Sequence, residues 1–136
     1  MERRYVDVVV MSDLHLGTYG CHANEIVNYL KSITPRILVL NGDIIDGWQF
    51  SKRYFPVAHM QVIKEIMSLL GKGTRVIYIT GNHDEMLRRY CDLHLGNLHL
   101  LDKLLMTIDG SNQIFETNEN DNTREASYTL NKAACP

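Results

Sequence analysis

The chain has 136 residues, the length of a single domain. Its 14 lysines and arginines against 16 aspartates and glutamates leave a formal charge of -2, which excludes a strongly basic nucleic-acid binder and a polyacidic tail protein. Hydrophobic residues make up 45% and charged residues 22%, the balance of an ordinary globular domain.

The N-terminus and the cysteines point to a cytoplasmic protein. No apolar run approaches the roughly 18 residues of a membrane span, and the short apolar run after Tyr5 has no small-residue cleavage site of the kind that ends a signal peptide. Cys21, Cys91 and Cys135 are odd in number and form no C-x-x-C pair. We therefore expect a reducing compartment, without a disulfide framework or a zinc-thiolate site.

Strand and helix signals alternate over the first 109 residues. Strands are predicted at residues 6–11, 37–40, 75–80, 98–101 and 104–108, with a turn at 102–103. Helices are predicted at residues 24–33, 57–70 and 84–90. This alternation is typical of βαβ units and a largely parallel α/β sheet.

Details of these elements follow from residue type. The β-branched run at 6–11 predicts a strand buried on both faces. Pro35 is expected to end the first helix and Gly71 the second. The predicted buried stripes are Ile26, Leu30 and Ile33 on the first helix, and Ile63, Ile66, Met67 and Leu70 on the second.

The composition changes after Asp109. Residues 110–136 contain five of the ten asparagines and few large apolar residues, so we expect a poorly ordered tail with at most a weak strand at 113–115. The predicted division is a domain at 1–109 and a tail at 110–136. One short repeat, residues 13–17 and 92–96, is interpreted as chance similarity, because the second copy follows no predicted strand.

Polar clusters follow the three strongest strands. They are Ser12-Asp13-Leu14-His15, Asn41-Gly42-Asp43-Ile44-Ile45-Asp46 and Gly81-Asn82-His83-Asp84. Ligands of open α/β sheets bind beyond the carboxyl ends of the strands, where these loops converge if the strands are neighbours. Each cluster alone is commonly a turn, a cap or a solvated loop, but the three together favour a binding site.

The donors in these clusters fit a metal centre. Asp13, His15, Asp43 and Asn82 offer carboxylate, imidazole and amide oxygen, which suit Mg, Mn, Fe or Zn. In an extended segment residues i and i+2 point the same way, so Asp13 and His15 are expected to bind one ion together.

The three motifs resemble the first three motifs of the calcineurin-like metallophosphoesterase superfamily. The resemblance covers roughly residues 5–109, and residues 12–17 and 41–48 are most similar to its UDP-2,3-diacylglucosamine hydrolase branch. It implies an αββα sandwich of which this chain supplies the N-terminal βαβαβ half. It also implies hydrolysis of a phosphate ester or pyrophosphate by a hydroxide that two divalent ions activate, with manganese the first expectation and Fe, Zn or Mg the alternatives.

The resemblance also implies a role for each site residue. Asp13 and His15 would bind one metal, Asp43 would bridge two, and Asn82 would bind the second. His83 would face the phosphate and either protonate the leaving oxygen or stabilise charge. Asp84 would orient His83, and Asp46 would brace its loop. The branch implies a nucleotide-lipid substrate of lipid A synthesis, met at the cytoplasmic face of the inner membrane.

The chain departs from the superfamily after Asp109. Further histidine motifs are expected downstream, yet no histidine follows His99. We therefore expect a truncated or frame-shifted copy whose uncovered sheet leads to dimerisation or aggregation. Two alternatives stay open: a catalytically dead fragment that binds metal weakly or serves as a partner module, and a metal-free nucleotide-binding domain. The second lacks both glycine-rich phosphate motifs.

Other polar residues have a structural and a functional interpretation. The histidines at positions 22, 59, 94 and 99 are interpreted as surface or packing residues. Lys52 or Arg53 could hold a phosphate, with neighbouring aromatic rings on a base or acyl chain, although a loop packed on the core is favoured. Arg88 and Arg89 could steer an anion, although a solvated helix face is favoured.

Overall fold

A computed structural model describes residues 3–47 and 54–104. Its strands are β1 (Arg4–Met11), β2 (Ile33–Asn41), β3 (Arg75–Ile79), β4 (His94–Leu95) and β5 (Leu98–Leu101). Its helices are α1 (Ala23–Ser32), α2 (Val57–Gly71) and a 3-10 helix at Glu85–Tyr90. Leu104, the first residue of the strand predicted at 104–108, lies in no strand, and the rest of that prediction falls outside the described residues. The weak strand at 113–115, the tail, the boundary after Asp109, Lys52 and Arg53 also lie outside them.

The strands form one sheet in the order β1-β2-β3-β5-β4. β1, β2, β3 and β5 are parallel, and only the short β4 is antiparallel to its neighbour. The prediction of α/β architecture with a mainly parallel sheet is confirmed. Because β1, β2 and β3 are direct neighbours, the loops that follow them leave the same edge of the sheet.

β2 begins earlier than predicted, and Pro35 lies inside it. α1 ends at Ser32, and Pro35 pairs with Val6 of β1, so the prediction that Pro35 ends the helix was wrong. The strand tolerates proline here because β3 pairs with β2 only from Ile37 onward. The Pro35 carbonyl accepts a hydrogen bond from Thr74 Oγ1 at 2.7 Å.

Both helices contribute to one core, although their buried faces differ from the predicted stripes. The buried residues are Ala23, Val27 and Leu30 on α1, and His59, Val62, Ile66 and Leu69 on α2. Met67 is exposed, and Ile33 belongs to β2. The predicted buried residues differ from the observed ones because both helices carry more apolar residues than one helix face can bury.

Burial also distinguishes the strands. Leu38 and Leu40 face the helical core, while Val39 and Ile77 pair on the opposite side and are buried too. β1 was expected to be buried on both faces, but Val10 is 53% exposed. The reason is position, because within the described residues β1 pairs with β2 alone and lies at the sheet's edge.

Candidate metal centre

Three loops meet at the carboxyl edge of β1, β2 and β3. The first loop follows Met11, the second follows Asn41, and the third runs from Thr80 to Asp84. Short backbone hydrogen bonds join the first two, including His15 N–H to the Asp43 carbonyl at 2.9 Å. The expectation that the three polar clusters converge is therefore confirmed.

The first loop is tightly turned rather than extended. Asp13 and His15 have φ values of 54° and 47°, and Gly17 has 109°. The left-handed region is costly for residues with a Cβ atom, and such residues gather at functional sites where neighbouring contacts hold them. The predicted meeting of Asp13 and His15 is found, with Oδ1 and Nε2 3.9 Å apart, but a left-handed turn brings them together.

The candidate metal ligands form one cluster. Donor atoms of Asp13, His15 and Asp43 all lie within 4.8 Å of one another. A second such group contains His15, Asp46 and His83, so the two groups share His15. The rings of His15 and His83 stand edge to face with centroids 4.7 Å apart. Carboxylate oxygens and imidazole nitrogens at this spacing fit a divalent cation.

Asn82 faces Asp43 across the same cluster. When its amide nitrogen is turned toward the carboxylate, it lies 3.0 Å from Oδ2 and 3.3 Å from Oδ1. The third loop therefore brings Asn82 within hydrogen-bond distance of Asp43. Its role as a metal ligand stays a prediction.

Asp43 is fixed from two sides. Its own φ is 53°, and its Oδ1 accepts a hydrogen bond from the His83 backbone N–H at 2.9 Å. Gly81 lies directly against it, because a Cβ atom on Gly81 would stand 2.6 Å from the Asp43 nitrogen and 2.9 Å from its Cγ. Glycine is thus required at position 81 for the second and third loops to approach each other.

Asp84 is a buried structural carboxylate. Its oxygens accept hydrogen bonds from Ile44 N–H at 3.1 Å, from the Tyr78 hydroxyl at 2.6 Å and from Gly81 N–H at 2.5 Å. Burial, followed by the hydrogen bond to Asp84, raises the pKa of Tyr78, which keeps the phenol protonated as a donor. Asp84 thereby ties the second loop to the third.

The expected contact between Asp84 and His83 is replaced by a contact with Asp46. The Nδ1 atom of His83 lies 3.4 Å from Oδ2 of Asp46, whose side chain is almost fully buried. Asp84 is not available for this role because its carboxylate turns away, toward Ile44 and Tyr78. The backbone N–H of Asp46 donates to the Leu16 carbonyl at 2.9 Å, which ties the second loop to the first.

Sequence reasoning missed two supporting residues. Tyr78 was counted only as part of a strand, although a hydroxyl within a buried run is a signal that it needs a partner. His59 was interpreted as a packing or surface residue, and it is indeed buried; its Nδ1 also accepts a hydrogen bond from Gly17 N–H at 2.9 Å. No local signal in the sequence pairs His59 with the first loop.

Arg88 and Arg89 contact other residues of the protein. Arg88 pairs with Glu85 and with Asp102, both at 3.3 Å, and Arg89 donates to the Met86 carbonyl at 3.1 Å. These contacts favour the interpretation of a helix face.

His94 and His99 pair across β4 and β5, and their ring centroids are 4.3 Å apart. His99 lies in the strand predicted at 98–101, and His94 lies in the short β4, which was not predicted. Neither belongs to the groups of metal donors found among the described residues.

An open cavity adjoins the cluster. It has a volume of about 330 Å³ and is lined by Gly47, His83, Glu85 and Met86.

Among the described residues, no helix is both long and apolar enough to cross a bilayer.

Comparison with protein families agrees with this geometry. Residues 6–131 match the family described as Calcineurin-like phosphoesterase, and the match continues past Asp109, where the motifs readable in the sequence end. No curated protein matches the chain. The matched range covers most of the sequence and includes every loop of the cluster. The chain belongs to the calcineurin-like phosphoesterase family.

Proposed function

We propose that this protein is a metal-dependent phosphoesterase that hydrolyses a phosphate ester or a pyrophosphate. The observation that carries the proposal is the gathering of Asp13, His15 and Asp43 donor atoms within 4.8 Å. Asn82 and His83 contact the same Asp43 from the third loop. Membership of the family supports this reaction class.

The donor set fits two divalent cations. Asp13 and His15 would hold one, Asn82 would hold the other, and Asp43 would contribute to both. When bound, such cations supply a nucleophile at neutral pH and neutralise charge on the phosphate. We propose manganese first, because mixed carboxylate, amide and imidazole donors suit it, with Fe, Zn and Mg as the alternatives.

The protein's own groups would position and protonate the substrate. His83 borders the open cavity, where its ring can reach a leaving-group oxygen. The Asp46 carboxylate beside Nδ1 favours a proton on Nδ1 and fixes the orientation of the ring, which leaves Nε2 as the atom that would exchange a proton with the substrate. Asp84 contributes indirectly, by holding the second and third loops together.

The substrate class is a finer proposal. Residues 12–17 and 41–48 resemble the UDP-2,3-diacylglucosamine hydrolase branch, which supports the pyrophosphate of a nucleotide-lipid sugar in lipid A synthesis. A cytoplasmic protein with peripheral contact to the inner membrane would meet that substrate. Comparing turnover of such a pyrophosphate with that of a plain aryl phosphodiester tests this choice.

The main experiment measures manganese-dependent hydrolysis of an aryl phosphodiester by the wild type and by Asp43→Asn. We expect the variant to lose more than about 100-fold in kcat/KM, since Asp43 would serve both cations and losing even an outer-sphere partner costs 10–100-fold. Asp7→Asn is the matched control, because Asp7 is an exposed carboxylate on β1 that pairs with Arg36 of β2. Equal rates for wild type and Asp43→Asn would contradict the proposal.

A second candidate is weak metal binding without turnover. It is favoured by the donor count among the described residues, because Asp13, His15, Asp43 and Asn82 offer few protein ligands for two cations. This candidate predicts less than one manganese ion per chain and no hydrolysis. Two bound ions per chain would count against it.

A further inference from the structure

His59 connects helix α2 to the first metal loop. It lies in the first turn of α2, its side chain is buried, and its Nδ1 accepts the backbone N–H of Gly17 at 2.9 Å. Gly17 follows His15 by two residues and closes the turned loop. A hydrogen bond from the helix therefore holds the end of the loop that carries Asp13 and His15.

The surroundings of His59 define its chemical state. The rings of Tyr54 and Phe55 stand edge-on to it, with centroids 6.0 and 5.5 Å away. A nitrogen that accepts a hydrogen bond carries no proton, so the ring is neutral with its proton on Nε2. Burial lowers the pKa of His59, which agrees with a neutral ring.

The loop depends on contacts from outside itself. Asp13 and His15 both have positive φ, a conformation that residues with a Cβ atom keep where neighbours hold it. The second loop holds one side through hydrogen bonds to the backbone of Asp13 and His15. On the other side, Phe55 packs against Gly17, and His59 satisfies its N–H.

We propose that His59 is a positioning residue, whose Nδ1 acceptor fixes Gly17 and thereby directs Asp13 and His15 toward a shared cation. The proposal rests on the proposed function for the identity of the cation. It does not require that the chain turn over any substrate, because the expected effect falls on metal affinity and on the loop itself.

The test compares two replacements of nearly equal shape. His59→Asn places Oδ1 on Cγ, where Nδ1 is bonded in histidine, and so keeps an acceptor. His59→Leu has the same branching and no acceptor. Both variants lose the ring, so a difference between them reports the hydrogen bond. The His59→Leu variant is expected to be at least as stable as His59→Asn, because the site is buried.

Manganese affinity is the first measurement, made by titration of each full-length variant followed by electron paramagnetic resonance of free Mn²⁺. We expect His59→Leu to bind at least about fivefold more weakly, the lower end of the effect of leaving a buried N–H unsatisfied. His59→Asn should stay within about threefold of wild type. The control Val62→Ala, a core truncation on the same helix, should lower stability and leave affinity unchanged.

Hydrogen exchange of the Gly17 amide is the second measurement, and it needs no metal. The amide should be protected in the wild type and in His59→Asn, and should exchange at least about tenfold faster in His59→Leu. The proposal is overturned if the wild-type amide exchanges like an exposed one, or if the two variants bind manganese equally well. If the wild type binds no manganese, the proposed function fails, and the exchange data alone decide the role of His59.

Discussion

At the scale of single residues, the site is built from side chains whose partners lie far away in the sequence. His83 contacts Asp46, while its neighbour Asp84 turns inward to Tyr78 and Ile44. Adjacent positions of one motif therefore have different tasks. His83 faces the cavity, and Asp84 holds the loops in place beneath it.

The contact between Asp46 and His83 predicts a selective loss of turnover. In Asp46→Asn the ring of His83 loses its carboxylate partner, and kcat for an aryl phosphodiester should fall roughly 10–100-fold. Manganese affinity should change less than about threefold, since Asp46 is expected to act through His83. Steady-state kinetics beside a manganese titration separate the two effects, and a large loss of affinity would show that Asp46 is itself a ligand.

Gly81 predicts a steric effect on Asp43. In Gly81→Ala the new methyl group would collide with the Asp43 backbone and carboxylate, so the loops must separate. Crowding of this kind costs about 1–3 kcal/mol, and we expect both the free energy of unfolding and the manganese affinity to fall. Gly71→Ala is the control, because a methyl group there meets no atom within 4 Å; similar losses in both variants would argue against the steric explanation.

At the scale of elements, the second and third loops are joined through β3. Tyr78 lies on β3, and its hydroxyl donates to Asp84, which in turn accepts from the N–H groups of Ile44 and Gly81. The strand thus supplies both the position of the third loop and one of the donors that neutralise its buried carboxylate. A strand and two loops are stabilised as one unit.

Tyr78→Phe tests this unit. The change removes one donor from a buried carboxylate and should lower the free energy of unfolding by about 1–3 kcal/mol in chemical denaturation. Tyr90→Phe on the exposed 3-10 helix should change stability by less than about 0.5 kcal/mol. If the two variants are equally stable, the Tyr78 hydroxyl does not contribute as proposed.

How far the elements could be predicted depends on whether the signal is local. The strand and helix order follows from apolar runs, and residues 98–101 form a strand with the predicted bounds. The prediction for Pro35 was wrong because the energetic cost of a proline in a strand depends on whether a neighbouring strand needs the N–H group that proline lacks. The exposure of Val10 follows from the position of β1 in the sheet, which its own residues do not encode.

At the scale of the whole molecule, parallel topology assembles the site. Asp13, Asp43 and Asn82 are separated along the chain and meet because β1, β2 and β3 are neighbours with their carboxyl ends together. The residue types and their strand-end positions were readable from the sequence. The left-handed turn at Asp13 and the pairing of Asp46 with His83 were not, because both depend on contacts between loops.

The most direct test of the shared site is anomalous diffraction from a crystal of this protein soaked in manganese. We predict an anomalous peak among the side chains of Asp13, His15, Asp43 and Asn82, with Asp43 closest to every manganese position found there. Absence of a peak at these residues, with Asp13, Asp43 and Asn82 pointing to separate regions, would contradict the proposed metal centre.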